Sequence, residues 1–218
     1  MHISFIADGN RRWAKRRLLP KFIGHKVGFD KMISIADYCC GIGIEFISFF
    51  CFSTENWNRE QAEIDDIFNI ITNNISKQTE HFIANGMKVV FLGDLSKFPV
   101  DFQLSANECM KKTENLTKTT VCFFCNYGGR ADIANAFRLA SIANDLDFEK
   151  YLYTNSHGIP DPDIVIRTSG EYRISNFLLY QMAYAELFFI PTYWPNMHKG
   201  IIDEILIEYK NRDRRHGK

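Results

Sequence analysis

Short runs rich in isoleucine, valine and phenylalanine recur at Ile3–Ala7, Glu45–Phe52, Lys88–Leu92, Thr120–Cys125 and Asp163–Arg167, and long segments of helical periodicity separate most of them. A strand that is apolar on both faces must be covered on both, and the intervening helices are the elements available to cover it. The alternation therefore predicts an α/β fold: a central, mostly parallel β-sheet flanked by helices. In the segment Glu63–Asn85, Ile64, Ile67, Phe68, Ile71 and Ile75 repeat at helical spacing, and Gly86 follows as a left-handed cap. No linker, repeat or low-complexity segment divides the 218 residues, so one domain over residues 1–218 is expected, with Lys210–Lys218 as a short charged tail.

Lys plus Arg and Asp plus Glu are equal at 26 each, so no overall field attracts nucleic acid, and none is expected as a partner. The longest apolar stretch, Ile42–Phe52, is interrupted by Glu45 and is far shorter than the roughly 20 residues that span a bilayer. The run Ile3–Ala7 ends at Asp8 without a basic leader or a cleavage site. A cytoplasmic protein that does not cross a membrane is expected, with peripheral contact left open. Cys122 and Cys125 stand three apart on an expected strand and so face opposite sides, which favours small buried side chains in a reducing compartment over a zinc or redox pair. Core filling is the default for nineteen phenylalanines, and lining an apolar tunnel for a hydrocarbon tail is the alternative.

Polar clusters follow the strand candidates directly: Asp8–Trp13, Ser53–Arg59, Asn126–Arg130 and Arg167–Gly170. In an open parallel sheet the carboxyl ends of the strands share one edge, where ligands bind, so the four clusters are expected to converge. Asp8 and Gly9 open a segment carrying Arg11, Arg12, Lys15, Arg16 and Arg17, a setting suited to phosphate oxygens. A carboxylate there repels phosphate unless a divalent cation bridges the two, which makes Asp8 a metal candidate; a helix cap is the plainer reading. Arg167 and Arg173, with Ser175 close by, suggest a second anion grip, against the alternative of solvated loop arginines. Glu186 lies in the apolar run Ala183–Phe189 and needs a cation or an ion pair with a nearby arginine.

Taken together, DGNRRWAKRR from Asp8, GHKVG from Gly24, FSTENWNR from Phe52, NYGGRADI from Asn126 and DIVIRTSGEYRISNFLLYQMAYAEL from Asp163 resemble the cis-prenyltransferases, and among them the bacterial undecaprenyl diphosphate synthases. The resemblance runs from His2 to the Arg214–Gly217 tail. It implies a single α/β domain with an apolar product tunnel, a homodimer, Mg2+ as cofactor, and repeated cis addition of isopentenyl diphosphate to an allylic starter such as farnesyl diphosphate. The catalytic aspartate and metal ligand then falls on Asp8, and a second metal-associated carboxylate on Glu186. The allylic diphosphate loop falls on Gly9, Asn10, Arg11 and Arg12, with Trp13, Lys21 and His25 nearby. Ser53, Thr54, Glu55, Trp57 and Arg59 match further substrate contacts, and Arg167, Arg173, Ile174 and Ser175 match the isopentenyl diphosphate grip. Asn56 falls on the family's proton acceptor, but a neutral carboxamide is a weak base, so an orienting role is expected.

The chain departs from the family pattern at three places. Tyr172 replaces a common histidine, Lys21 replaces a common arginine and loses its bidentate fork, and Leu146–His157 is short, as a trimmed surface loop. An all-helical trans-prenyl synthase requires DDxxD motifs, which Asp65-Asp66 does not complete, and no GxxxxGK[ST] loop marks a nucleotide site. A non-catalytic subunit of the same fold is the rival from another class. Such relatives usually lose the Asp-Gly-Asn-x-Arg segment, which is intact here.

Overall fold

The computed structural model describes residues 1–213; the Arg214–Gly217 end of the resemblance lies outside the described residues. Each expected strand forms: β1 (His2–Ile6), β2 (Phe46–Ser53), β3 (Met87–Leu92), β4 (Thr119–Tyr127) and β5 (Ile164–Arg167). A sixth, β6 (Glu186–Phe189), joins them in one sheet of order β3-β4-β2-β1-β5-β6 with every pairing parallel. Sequence reasoning took the run holding β6 only as a setting for Glu186. The strand is four residues long and no α-helix separates it from β5, so the periodicity that marks the others is missing.

Helices α1 (Asn10–Arg16), α2 (Lys21–Gly41), α3 (Gln61–Asn85), α4 (Val100–Thr113), α5 (Gly129–Ala143) and α6 (Lys199–Asn211) complete the fold. On one sheet face Phe5, Phe49, Val89, Phe123 and Ile166 pack in a single core with Ile35 of α2, Ile64 and Phe68 of α3, Phe102 of α4 and Ile202 of α6. On the other face Cys122, Phe124 and Val165 meet Phe177, Leu178 and Met182 from the segment between β5 and β6. Cys122 and Cys125 therefore belong to opposite cores, as strand alternation requires. Burial pushes the Cys122 thiol up to about 12, so it stays protonated.

The α3 helix ends at Gly86 with φ 71, the left-handed cap expected from its sequence. Gly24 lets α2 approach α1: a Cβ there would lie 2.3 Å from the Asn10 carbonyl oxygen. The Leu146–His157 segment is more than a surface loop. Leu152 and Thr154 are fully buried, and Thr154 Oγ1 accepts a hydrogen bond from Gln181 at 3.1 Å. Among the described residues no helix is long and apolar enough to cross a membrane.

Candidate active site

The parallel register places Ile6 of β1 opposite Arg167 of β5, and Ser53 of β2 opposite Tyr127 of β4, so the loops after these strands emerge along one edge. Below that edge, between the sheet, α2 and α3, lies a cavity of about 480 Å³. Because α3 runs back toward the start of β3, its residues line the cavity from Ile67 past Ile71 and Ile75 to Phe82, where Phe91 and Phe123 of the sheet also contribute. Phenylalanine thus both fills the core and walls an apolar recess. At the loop end stand Asp8, Gly9, Asn10, Arg11, Arg12, His25, Ser53, Asn56, Arg59, Arg167, Arg173 and Ser175. These residues come from three of the four predicted clusters, from α2 and, for Arg173 and Ser175, from the segment beyond Gly170.

Asp8 is the one carboxylate among the residues that line the cavity. Its Oδ2 accepts a hydrogen bond from Arg167 Nη2 at 3.0 Å and lies 3.2 Å from Arg12 Nη2. Arg167 is buried and donates from Nη1 to Ser175 Oγ at 2.7 Å and to the Arg173 carbonyl, so it fixes the second grip from beneath. Gly9 turns the chain from β1 into α1 at φ 105, and a Cβ there would meet the Tyr193 ring at 2.8 Å. Ser169, Ser175 and Asn176 adopt left-handed backbone at φ 84, 50 and 63, a concentration of strain at the loop after β5. Asn10 Oδ1, Arg167 Nε and Ser169 Oγ are buried without a hydrogen-bond partner among the described residues. Unpaired buried polar atoms are costly, and two of these three belong to Asn10 and Arg167, which line the cavity with Asp8. Asn56 Oδ1 accepts the Ser53 N–H at 3.1 Å, which fixes the carboxamide and leaves its NH2 group for other partners.

Sequence reasoning missed Glu63. Its side chain is 4% exposed on the first turn of α3 and faces His25 Nε2 at 3.3 Å, Arg59 Nη1 at 3.2 Å, Arg11 Nε at 3.5 Å and Lys21 Nζ at 3.7 Å. One carboxylate thereby ties α1, α2, the loop after β2 and α3 together. Burial pulls His25 below its ordinary value, with Glu63 opposing the shift. The four-residue spacing from Arg59 was the available signal, but such a pair is common on exposed helices.

The remaining expected site residues stand outside the cavity lining. Lys21 is held by Glu60 at 3.0 Å as well as by Glu63. Trp13 donates to Asn196 Oδ1 at 2.8 Å and carries Arg17 over its ring. Trp57 packs on Phe52, Phe68 and Phe98 and donates to Asn126 Oδ1 at 2.8 Å. Thr54 sits against Gly128, Glu55 accepts from Asn176 at 2.8 Å, and Ile174 packs against the second core. The Asn126–Arg130 cluster thus braces the wall rather than joining the site: Asn126 holds Trp57, and the Arg130 N–H reaches Asn176. Tyr172 is 80% exposed and packs on Phe189.

Glu186 is not brought to Asp8. It opens β6 opposite Ile164, at the amino end of the sheet, and pairs with Arg212 at 2.6 Å, the ion pair that was its alternative reading. Among the described residues no three His, Cys, Asp or Glu side chains gather as metal ligands. Magnesium needs only one or two carboxylates when substrate phosphates complete its shell. Asp8, the one carboxylate in the lining, beside Arg12, Arg167 and Arg173 fits that ion as a joint metal and diphosphate site, while Glu171, outside the lining, pairs with Arg12 at 2.7 Å and with Arg173.

The family model described as "Putative undecaprenyl diphosphate synthase" matches residues 6–217. An isoprenyl transferase of Clostridium perfringens is 36% identical over 99% of this chain and 89% of its own length, and dehydrodolichyl diphosphate synthase 1 of Arabidopsis thaliana is 38% identical over 99% and 75%. Among solved structures, lavandulyl diphosphate synthase from Lavandula x intermedia, in complex with dimethylallyl diphosphate, is similar at TM-score 0.94 and 27% identity over 100% of this chain and 98% of that one. A probable undecaprenyl diphosphate synthase from Campylobacter jejuni is similar at TM-score 0.85 and 28% identity with the same coverage. With the parallel sheet, the cationic rim and the apolar recess in one fold, these matches establish that the chain belongs to the cis-prenyltransferase family, the isoprenyl transferases.

Proposed function

We propose that this chain is a magnesium-dependent synthase that adds isopentenyl diphosphate repeatedly to farnesyl diphosphate and makes undecaprenyl diphosphate. The observation that carries this reading is a single cavity with arginines and one aspartate at its loop end and isoleucine and phenylalanine at its deep end. A diphosphate with a hydrocarbon tail is the ligand class complementary to both. When the allylic carbon–oxygen bond breaks, negative charge builds on the leaving diphosphate, and Arg12 with the N–H groups of the Gly9–Arg12 turn is placed to stabilise it. Magnesium, held by Asp8 together with diphosphate oxygens, would neutralise part of the same charge. Arg173 and Ser175, positioned by Arg167, receive the second diphosphate. Asn56 orients the reacting ends, and a diphosphate oxygen takes the departing proton. A homodimer belongs to the same reading: β6 lies at one edge of the sheet, with Tyr172, Tyr184 and Leu187 exposed near it.

The test is incubation with labelled isopentenyl diphosphate, farnesyl diphosphate and magnesium, followed by sizing of the products. A ladder ending near the undecaprenyl length supports the reading. No incorporation onto any allylic starter would defeat it. A shorter product is the second reading, because about 480 Å³ is the size of an ordinary small-molecule pocket and Phe82, Phe91 and Phe123 stand at its deep end. The same sizing decides between the two.

A further inference from the structure

Between Gly9 and Phe29 the chain carries seven lysines and arginines and no aspartate or glutamate, although its total charge is zero. Arg11 and Arg12 turn to the cavity, Lys21 is paired with Glu60 and Glu63, and Lys26 with Asp30. Lys15, Arg16 and Arg17 are exposed and lie outside the cavity lining, and none of them has a carboxylate within ion-pair distance among the described residues. Instead Arg16 lies over Tyr193 and Arg17 over Trp13.

Directly beyond them Leu18 is 95% exposed, Leu19 40% and Phe22 42%. Leu18 also sits at φ 56, a left-handed conformation that glycine adopts freely and leucine does not. No packing compensates for the strain, because the side chain projects into water. An apolar tip in an unfavourable backbone state, rimmed on its α1 side by Lys15, Arg16 and Arg17, which have no acidic partners among the described residues, complements a surface that is greasy beneath and anionic above.

We propose that the Lys15–Phe22 segment, the end of α1, the turn after it and the start of α2, docks this protein on an anionic bilayer surface, with Leu18, Leu19 and Phe22 entering the acyl boundary and Lys15, Arg16 and Arg17 at headgroup level. The docking does not depend on the proposed reaction. Its use does: the segment joins α1 and α2, which both line the cavity, so a docked segment brings the cavity wall to the lipid that a long-tailed product must enter.

The experiment is co-sedimentation of the full chain with vesicles of phosphatidylcholine, alone or mixed with phosphatidylglycerol, in excess inorganic diphosphate to fill the cationic end of the cavity. Salt-sensitive binding to the anionic vesicles is expected. Leu18→Gly should weaken it about tenfold, since one leucine side chain no longer enters the bilayer, and should leave the melting temperature no lower than before. Lys15→Gln with Arg17→Gln should weaken it roughly twentyfold. Wild-type protein that stays in the supernatant, binding that diphosphate abolishes, or equal binding by Leu18→Gly would each overturn the proposal. Vesicle binding by a chain that fails to extend any allylic diphosphate would leave the docking standing and remove the proposed reaction.

Discussion

Asp8 and Arg167, 159 residues apart in sequence, meet at 3.0 Å where β1 and β5 end, and the arginine that holds the aspartate also holds Ser175 and the backbone of Arg173. One buried guanidinium thus couples the two ends of the reaction site. Removing the carboxylate leaves the other bonds of Arg167 intact, so Asp8→Ala is expected to keep the fold while turnover falls on the order of a thousandfold or more. Steady-state rates beside a thermal melt check this, and near-normal turnover with magnesium would refute the role of Asp8.

Asn56 Oδ1 is engaged with the Ser53 N–H, and a carboxylate can accept the same bond. If the residue orients, Asn56→Asp retains turnover and its pH–rate profile keeps the wild-type shape. A new ionisation controlling the rate would show instead that this position transfers the proton.

Glu63 is a buried anion facing four basic side chains. Glu63→Gln leaves Arg11 and Arg59 without their paired carboxylate and is expected to destabilise the fold by about 3 kcal/mol. Urea unfolding measures it; a change below about 0.5 kcal/mol would mean that the cluster behaves like an exposed ion pair.

His2 is fully buried, with Nδ1 donating to the Pro160 carbonyl at 2.7 Å and Nε2 accepting from Ser48 Oγ at 2.7 Å, the pattern of a neutral ring. Burial pulls it from 6.5 to about 4. As pH falls through that window the unfolded chain takes up a proton that the folded chain excludes, so stability declines with acidity and is unaffected by this group above 6.5. The loss over the window should approach about 3 kcal/mol. Denaturant midpoints of wild type and His2→Gln measured from neutral pH to pH 4 should converge; parallel curves would show that His2 carries no such dependence.

The core strands were legible because β1 to β5 are apolar runs separated in most cases by helical periods, a pattern that local spacing displays. β6 was not, since four residues that begin with glutamate carry no such signal. Asp8, Gly9, Asn10, Arg12, Asn56 and Arg167 were expected at one edge because parallel strands align their carboxyl ends, and all of them line one cavity together with Ser175 of the expected second grip. Lys21, Trp57 and Asn126 carry the same kinds of side chain, yet Lys21 is spent on Glu60 and Glu63, and Trp57 and Asn126 on each other.

What the sequence determined by itself was the parallel sheet, the edge where its polar loops gather and the family resemblance, because each depends on local patterns or on long motifs. Tertiary structure decided the rest. It sent Glu186 to the opposite end of the sheet and to Arg212, buried Glu63 among four basic side chains, and made Arg167 a brace as well as a grip. The physical reason is that burial and pairing are properties of surfaces that meet after folding, often more than a hundred residues apart, and a carboxylate has the same local sequence signal whether its partner is a metal, a substrate or an arginine.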